Sequence, residues 1–517
     1  MNLHRTRRDF LGDVGCGVLT AAVGAGIASE LKFSTALADE PTDALEFGAL
    51  ESLVRLMQET SPDRLLPTIV TKLRSGMDLR QLTAAAALAN ARTFGGEDYV
   101  GYHTLMALSP AFHMAEELPV ELRPLPILKV LLRNSSRIHE KGGRKAEVLK
   151  VVQPDGTKHT GKEIRDFVRQ EQMEAAEAGF ASVSQGSAED AFNVLLETVH
   201  DDTEVHRVVL PYRAWDLLDI VGKEHAHTLL RQSLRYCVNA ESWKYRSRDK
   251  QRAALPKLLE EHRLLDRSAG TREMDDGWIE QFTKTLFDSD AEQAAAAAAA
   301  ALADGVAPAA VGEAISLAAN QLVLRDVGRS PREESPGKPP GSVHGDSIGV
   351  HASDSANAWR NMARVANPRN SFASLILGAY QVAHDRTARG GDFANWEALP
   401  FKNHSERVTA TGEAALLRET EEAIRGNLQG RASAVAHRYG ELGLRPRLMF
   451  DLLLKYAVSE DGSLHAEKYY RTVTEEFRAT RPAYRWRHVV ALARVTASEY
   501  GRPADGIAEA RSLLGLT

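Results

Sequence analysis

The sequence predicts an all-α protein built from two tandem, pseudo-symmetric helical halves, and three observations carry that expectation. Alanine is abundant while Phe, Trp and Tyr make up only 6% of the chain, a balance suited to packed helices rather than sheets. Apolar residues recur at helical spacing through long Ala/Leu-rich stretches. One such stretch occurs twice: residues 53–92 line up without gaps on residues 282–321, the mark of an internal duplication.

The elements follow in order. Thr6-Arg7-Arg8-Asp9-Phe10-Leu11 opens the chain, with a small, apolar stretch behind it and a small-x-small site at Ala36-Leu37-Ala38. This resembles a twin-arginine signal peptide over residues 1–38, with cleavage expected after Ala38. The apolar stretch is too short and too rich in Gly and Ala for a membrane span, and no later segment is long enough. The mature protein is therefore expected in the periplasm or outside the cell, its first partner being the twin-arginine export machinery. What is known of that route implies cargo that folds before crossing, often with its cofactor.

Half 1 is expected over residues 47–268 and half 2 over 276–517. In the ungapped part, Leu73, Gly76, Leu82 and Ala85 fall on Leu302, Gly305, Val311 and Ala314. Each copy reads as a helix, a glycine break and a second helix. Residues 147–160 are the one candidate β-hairpin, turning at Gln153-Pro154-Asp155-Gly156. Residues 328–345, rich in Pro, Ser and charge, read as a flexible exposed loop unique to half 2.

With gaps the alignment continues through the histidines. Val100-Gly101-Tyr102-His103 matches Ile348-Gly349-Val350-His351, and His139-Glu140 matches His384-Asp385. His206-Arg207 matches His437-Arg438, and His225-Ala226 matches His465-Ala466. Imidazole is costly to bury in a helical core, so its recurrence asks for a reason.

Metal binding is the first reason. His103, His139, His206 and His225 would serve one half, and His351, His384, His437 and His465 the other, with Glu140 and Asp385 as acidic partners. Such widely spaced ligands come from facing helices of a bundle. Histidine with carboxylate and without sulfur suits iron, manganese, zinc or copper. Cys237 is alone in the mature chain, so neither an internal disulfide nor a thiolate cluster is available there, and it is expected as a small buried hydrophobe.

Acid–base chemistry is the second reason, with a histidine oriented by Asp216 or Asp451. Here the stretch Val343-His344-Gly345-Asp346-Ser347 through His351 resembles His-rich helical proteins of the questin oxidase type. That likeness covers a few short stretches and implies a metal-free oxygenase acting on a small molecule. The third reason is structural, with each histidine capping a helix or pairing with an acid.

Several functions are disfavoured. A net charge of −6 offers no basic face for nucleic acid. No dinucleotide-binding glycine motif, P-loop or HExxH occurs, so no organic cofactor is indicated. The leading expectation is an exported, metal-dependent oxidoreductase acting on a small molecule. The alternative from another class is a non-catalytic helical-repeat scaffold, which should scatter the eight histidines rather than gather them.

Overall fold

Short glycine, proline and Asx-rich breaks divide the chain into helices from Glu51 onward. The computed structural model describes residues 43–243, 248–388 and 391–516; the twin-arginine segment and Ala38 lie outside the described residues. The first series is α1 (Glu51–Glu59), α2 (Pro62–Arg74), α3 (Leu79–Phe94), α4 (Tyr99–Glu117), α5 (Pro124–Glu140), α6 (Gly161–Arg169), α7 (Met173–Val183), α8 (Ala188–Val199), α9 (Val205–Val221), α10 (Ala226–Glu241) and α11 (Arg248–Glu261). The second is α12 (Asp276–Asp288), α13 (Ala291–Ala303), α14 (Pro308–Arg325), α15 (Ile348–Val365), α16 (Pro368–Ala388), α17 (Lys402–Ser405), α18 (Glu413–Arg425), α19 (Gln429–Glu441), α20 (Pro446–Ser459), α21 (His465–Ala479), α22 (Trp486–Glu499) and α23 (Ile507–Leu514). Among the described residues the only β-structure is a few isolated bridges, so the protein is all-α as expected.

Two helices run through the centre of the packing. In α3 every residue from 82 to 94 is buried, and α14 is buried nearly all round. Their Ala-rich surfaces let neighbours approach on every side. The predicted glycine breaks before them are present: Gly76 and Gly305 take φ of +93° and +81°, backbone that an L side chain rarely adopts.

The packing order recurs along the chain. Helices α1, α3, α4 and α5 pack on one another as α12, α14, α15 and α16 do. The two series also exchange elements. Helix α4 packs on α21 and α15 packs on α9, while α11 crosses onto α13 and α16, and α23 onto α2 and α5. Lys129 on α5 ties the series together from within: its Nζ is 2.6 Å from Glu467 on α21 and donates to the Ala457 and Glu460 carbonyls.

Two local expectations are corrected. Residues 147–160 form no hairpin, because their backbone donors are spent elsewhere. The Val148 and Leu149 N–H groups donate to the Arg92 carbonyl at the end of α3, and Val151 N–H donates to Asp43. The 328–345 loop is not simply an exposed connector. Its outer part is exposed, but Val343 and His344 are buried, and the Gly345 N–H donates to the Glu499 carboxylate at 2.8 Å.

Candidate functional site

The exchange of helices brings four histidines to one place. His103 on α4 and His206 at the start of α9 face His351 on α15 and His465 at the start of α21. The Nε2 atoms of His103 and His206 are 3.2 Å apart, and those of His351 and His465 are 3.3 Å apart. Between the series, the His103 and His465 ring centres lie 5.3 Å apart and those of His206 and His351 6.0 Å.

Glycine sets the depth of the two central helices. A Cβ on Gly101 would stand 2.5 Å from the Phe94 ring, and one on Gly349 2.5 Å from the Val323 amide nitrogen. Each glycine lets its helix press onto the preceding one, and the histidine two residues on is carried inward with it. His465 is placed differently. Ser463 and Leu464, just before it, have φ of +52° and +67°. Two consecutive non-glycine residues in the left-handed region are backbone strain, which collects at functional sites. Gly345 closes the other side, because a Cβ there would lie 2.0 Å from the Cβ of His465.

The hydrogen bonds at the far nitrogens fix the imidazoles. His103 Nδ1 donates to the Tyr99 carbonyl at 2.7 Å, and His465 Nδ1 donates to the Ser463 carbonyl at 3.1 Å. His206 Nδ1 donates to Glu204 Oε1 at 2.6 Å. In a neutral ring, an Nδ1–H donated to such an acceptor leaves the Nε2 lone pair turned towards the centre. Glu204 also caps α9, accepting from the His206 and Arg207 N–H groups, and the Tyr236 hydroxyl donates to it at 2.7 Å.

Burial dominates the electrostatics. It pushes the His103 and His465 imidazoles far below their ordinary range, helped by the Lys468 charge one turn along α21. Burial also brings Lys468 down to about 8, against the pull of Asp354. Burial would raise Glu204, but His206, Tyr236 and the Arg207 N–H outweigh it and hold the carboxyl at about 2. The site therefore sets neutral His103 and His465 imidazoles near the Glu204 carboxylate. Tyr99, 59% exposed, lies 4.3 Å from the His103 ring, and Tyr102 packs 5.0 Å from it on the inner side. Tyr99 marks the solvent side of the cluster.

The other expected ligands lie elsewhere. His139 and Glu140 are exposed at the end of α5, where Glu140 pairs with Arg137 at 2.9 Å. His225 packs edge-on against Phe47. His384 sits 3.6 Å from its own neighbour Asp385, and His437 3.7 Å from Glu441. These are half-exposed positions on helix surfaces. The acids expected to orient a histidine do not do so: Asp216 accepts from Ser109 and lies 3.4 Å from Arg213, while Asp451 pairs with Arg447. Glu204 does the orienting, and sequence reasoning missed it. Its signal was Glu-Val-His at a helix start, where a capping carboxylate reaches the residue two positions on.

Among the described residues no group of three or more His, Cys, Asp or Glu side chains is arranged to hold a metal ion. The histidines are arranged as two close pairs facing one another. Cys237 is buried, as expected, and no described helix is long and apolar enough to cross a membrane. No family model matches the chain, and neither does any curated protein or solved structure.

Proposed function

We propose that His103, His206, His351 and His465 bind one transition-metal ion, and that the chain is an exported metal-dependent enzyme of the oxidoreductase type. One observation carries the metal reading. With both rings neutral, the Nδ1–H groups of His103 and His206 donate to oxygen acceptors and their Nε2 lone pairs face each other across 3.2 Å. Two acceptors at that distance repel unless a proton or a metal ion lies between them. Two imidazole nitrogens bound to one ion at about 2.0–2.1 Å stand roughly 3.0–3.4 Å apart, which spans both observed pairs. The donor set, imidazole without sulfur, suits copper, zinc, iron or manganese.

The recurring packing order and the ungapped alignment together support an internal duplication. In that reading His103 answers to His351, and His206 answers to His465 rather than to His437, because α9 and α21 hold the same place in their series. A redox reaction is favoured by the twin-arginine resemblance, and the Tyr99 side gives a small molecule its approach. A redox-active ion held there would supply electron exchange. Glu204 fixes His206, and the buried walls exclude water.

The Glu204–His206–Tyr236 contacts favour a second reading, metal-free acid–base chemistry. Elemental analysis of the untagged protein, purified after export by its own signal, separates the two. Near-stoichiometric metal, lost in His103→Ala and His465→Ala, supports the first. A folded protein that is metal-free as isolated and fails to take up any of the four ions on dialysis retires it.

A further inference from the structure

A cavity of about 610 Å³ opens between α11, the turn Leu264–Asp266, α6 and the start of α16. That volume is within the range of small-ligand sites. Its apolar lining includes Leu255, Leu259 and Leu265, the last 57% exposed at the rim. Three guanidinium groups line the same space: Arg165, Arg263 and Arg369.

Two of these arginines, Arg165 and Arg263, have no carboxylate partner among the described residues. Arg165 Nε is buried without a hydrogen-bond partner, and a buried unmet donor costs about 1–3 kcal/mol. Arg263 is held at φ +49° by the end of α11, with no carboxylate within ion-pair distance among the described residues. Arg369 donates to Asn370 at 2.8 Å and stands 3.5 Å from Glu197. Behind them His200 is buried, kept neutral first by burial and then by Arg369 and Arg165. Two exposed acids, Glu260 and Asp266, also line the cavity, so with Glu197 on Arg369 the charges balance, and the unmet Arg165 donor and Arg263 are what is left to hold an anion.

We propose that this cavity binds an amphipathic monoanion, a carboxylate whose hydrocarbon chain lies on the leucines and whose head group is held by the arginines. Arginine matches a carboxylate with two parallel hydrogen bonds. The apolar lining admits a hydrocarbon chain, and the two acids disfavour a dianion. The inference is independent of the four-histidine reading.

Calorimetric titration of decanoate into the full chain, with chelator present and decanol as the neutral control, tests it. Saturable one-to-one binding of decanoate is expected, with decanol weaker by about tenfold or more. Arg263→Gln, at an exposed position, should weaken decanoate by about tenfold, and Leu255→Trp should abolish binding by filling the space. His103→Ala should leave binding unchanged, which separates this cavity from the histidine cluster. Equal binding of the alcohol, no saturable binding, or loss in His103→Ala but not in Arg263→Gln would overturn the proposal.

Discussion

Glu204 Oε1 accepts the Nδ1 proton of His206 at 2.6 Å, whereas the corresponding proton of His465 goes to a backbone carbonyl. His206 is thus backed by a full negative charge. A carboxylate behind an imidazole raises its basicity and fixes its ring. Glu204→Gln keeps the cap and the shape but removes the charge. Metal affinity should fall about 10–100-fold, measured by competition with a chromophoric chelator. Unchanged affinity would show that the carboxylate serves only the helix cap.

The histidines divide into a convergent and a dispersed set. Replacing any one of His103, His206, His351 and His465 by Ala should lower bound metal well below one ion per chain. Replacing His139 or His384 should leave it unchanged, since both lie away from the cluster. Metal analysis of the six single variants, each checked for helicity, decides the matter.

The two helix-seating glycines should differ in tolerance. At Gly101 an added methyl meets a phenylalanine ring, but at Gly349 it meets the Val323 backbone. A ring can turn aside and a helix backbone cannot, so Gly349→Ala should destabilise more than Gly101→Ala. Overpacking typically costs about 1–3 kcal/mol, with Gly349→Ala expected at the upper end. Urea unfolding midpoints of the two variants give the comparison.

Glu499 gives a pH signature. Burial raises its carboxyl from 4.5 to about 7, although the Gly345 N–H bond opposes the rise. The folded state therefore holds a proton that the unfolded chain releases near its ordinary pKa. This contribution is fully present below about pH 4.5 and is lost as pH rises through about 7, amounting to on the order of 3 kcal/mol. Glu499→Gln should flatten the pH dependence of stability over that interval. Urea midpoints in chelator at several pH values provide the check.

Much of the helical architecture could be read from the chain because it rests on local rules. Alanine-rich periodicity and the glycines at 76 and 305 place α2, α3, α13 and α14 without reference to anything distant. The hairpin at 147–160 failed for the opposite reason. Its β-branched residues meet the open end of α3, and a remote acceptor outcompetes the local turn. His103, His206, His351 and His465 were all among the expected ligands, but nothing local distinguished them from His139 or His437. What separates them is which helix of one series meets which helix of the other, and sequence spacing carries no record of that. Glu204 was hidden for a related reason, since its role depends on a helix boundary between it and His206.

The crossing of α11 and α23 has a consequence for the order in which the protein is made. Helix α11 leaves the ribosome before α13 and α16, the surfaces it covers, exist. The groove on α2 and α5 waits until α23 emerges, and His465 arrives only shortly before it. Domains elsewhere fold from the N-terminus as they are synthesised. Here an early segment has no place to finish until a late one is present. The first series stays unsealed until α23, and with it the cover of α2 and α5, has been translated.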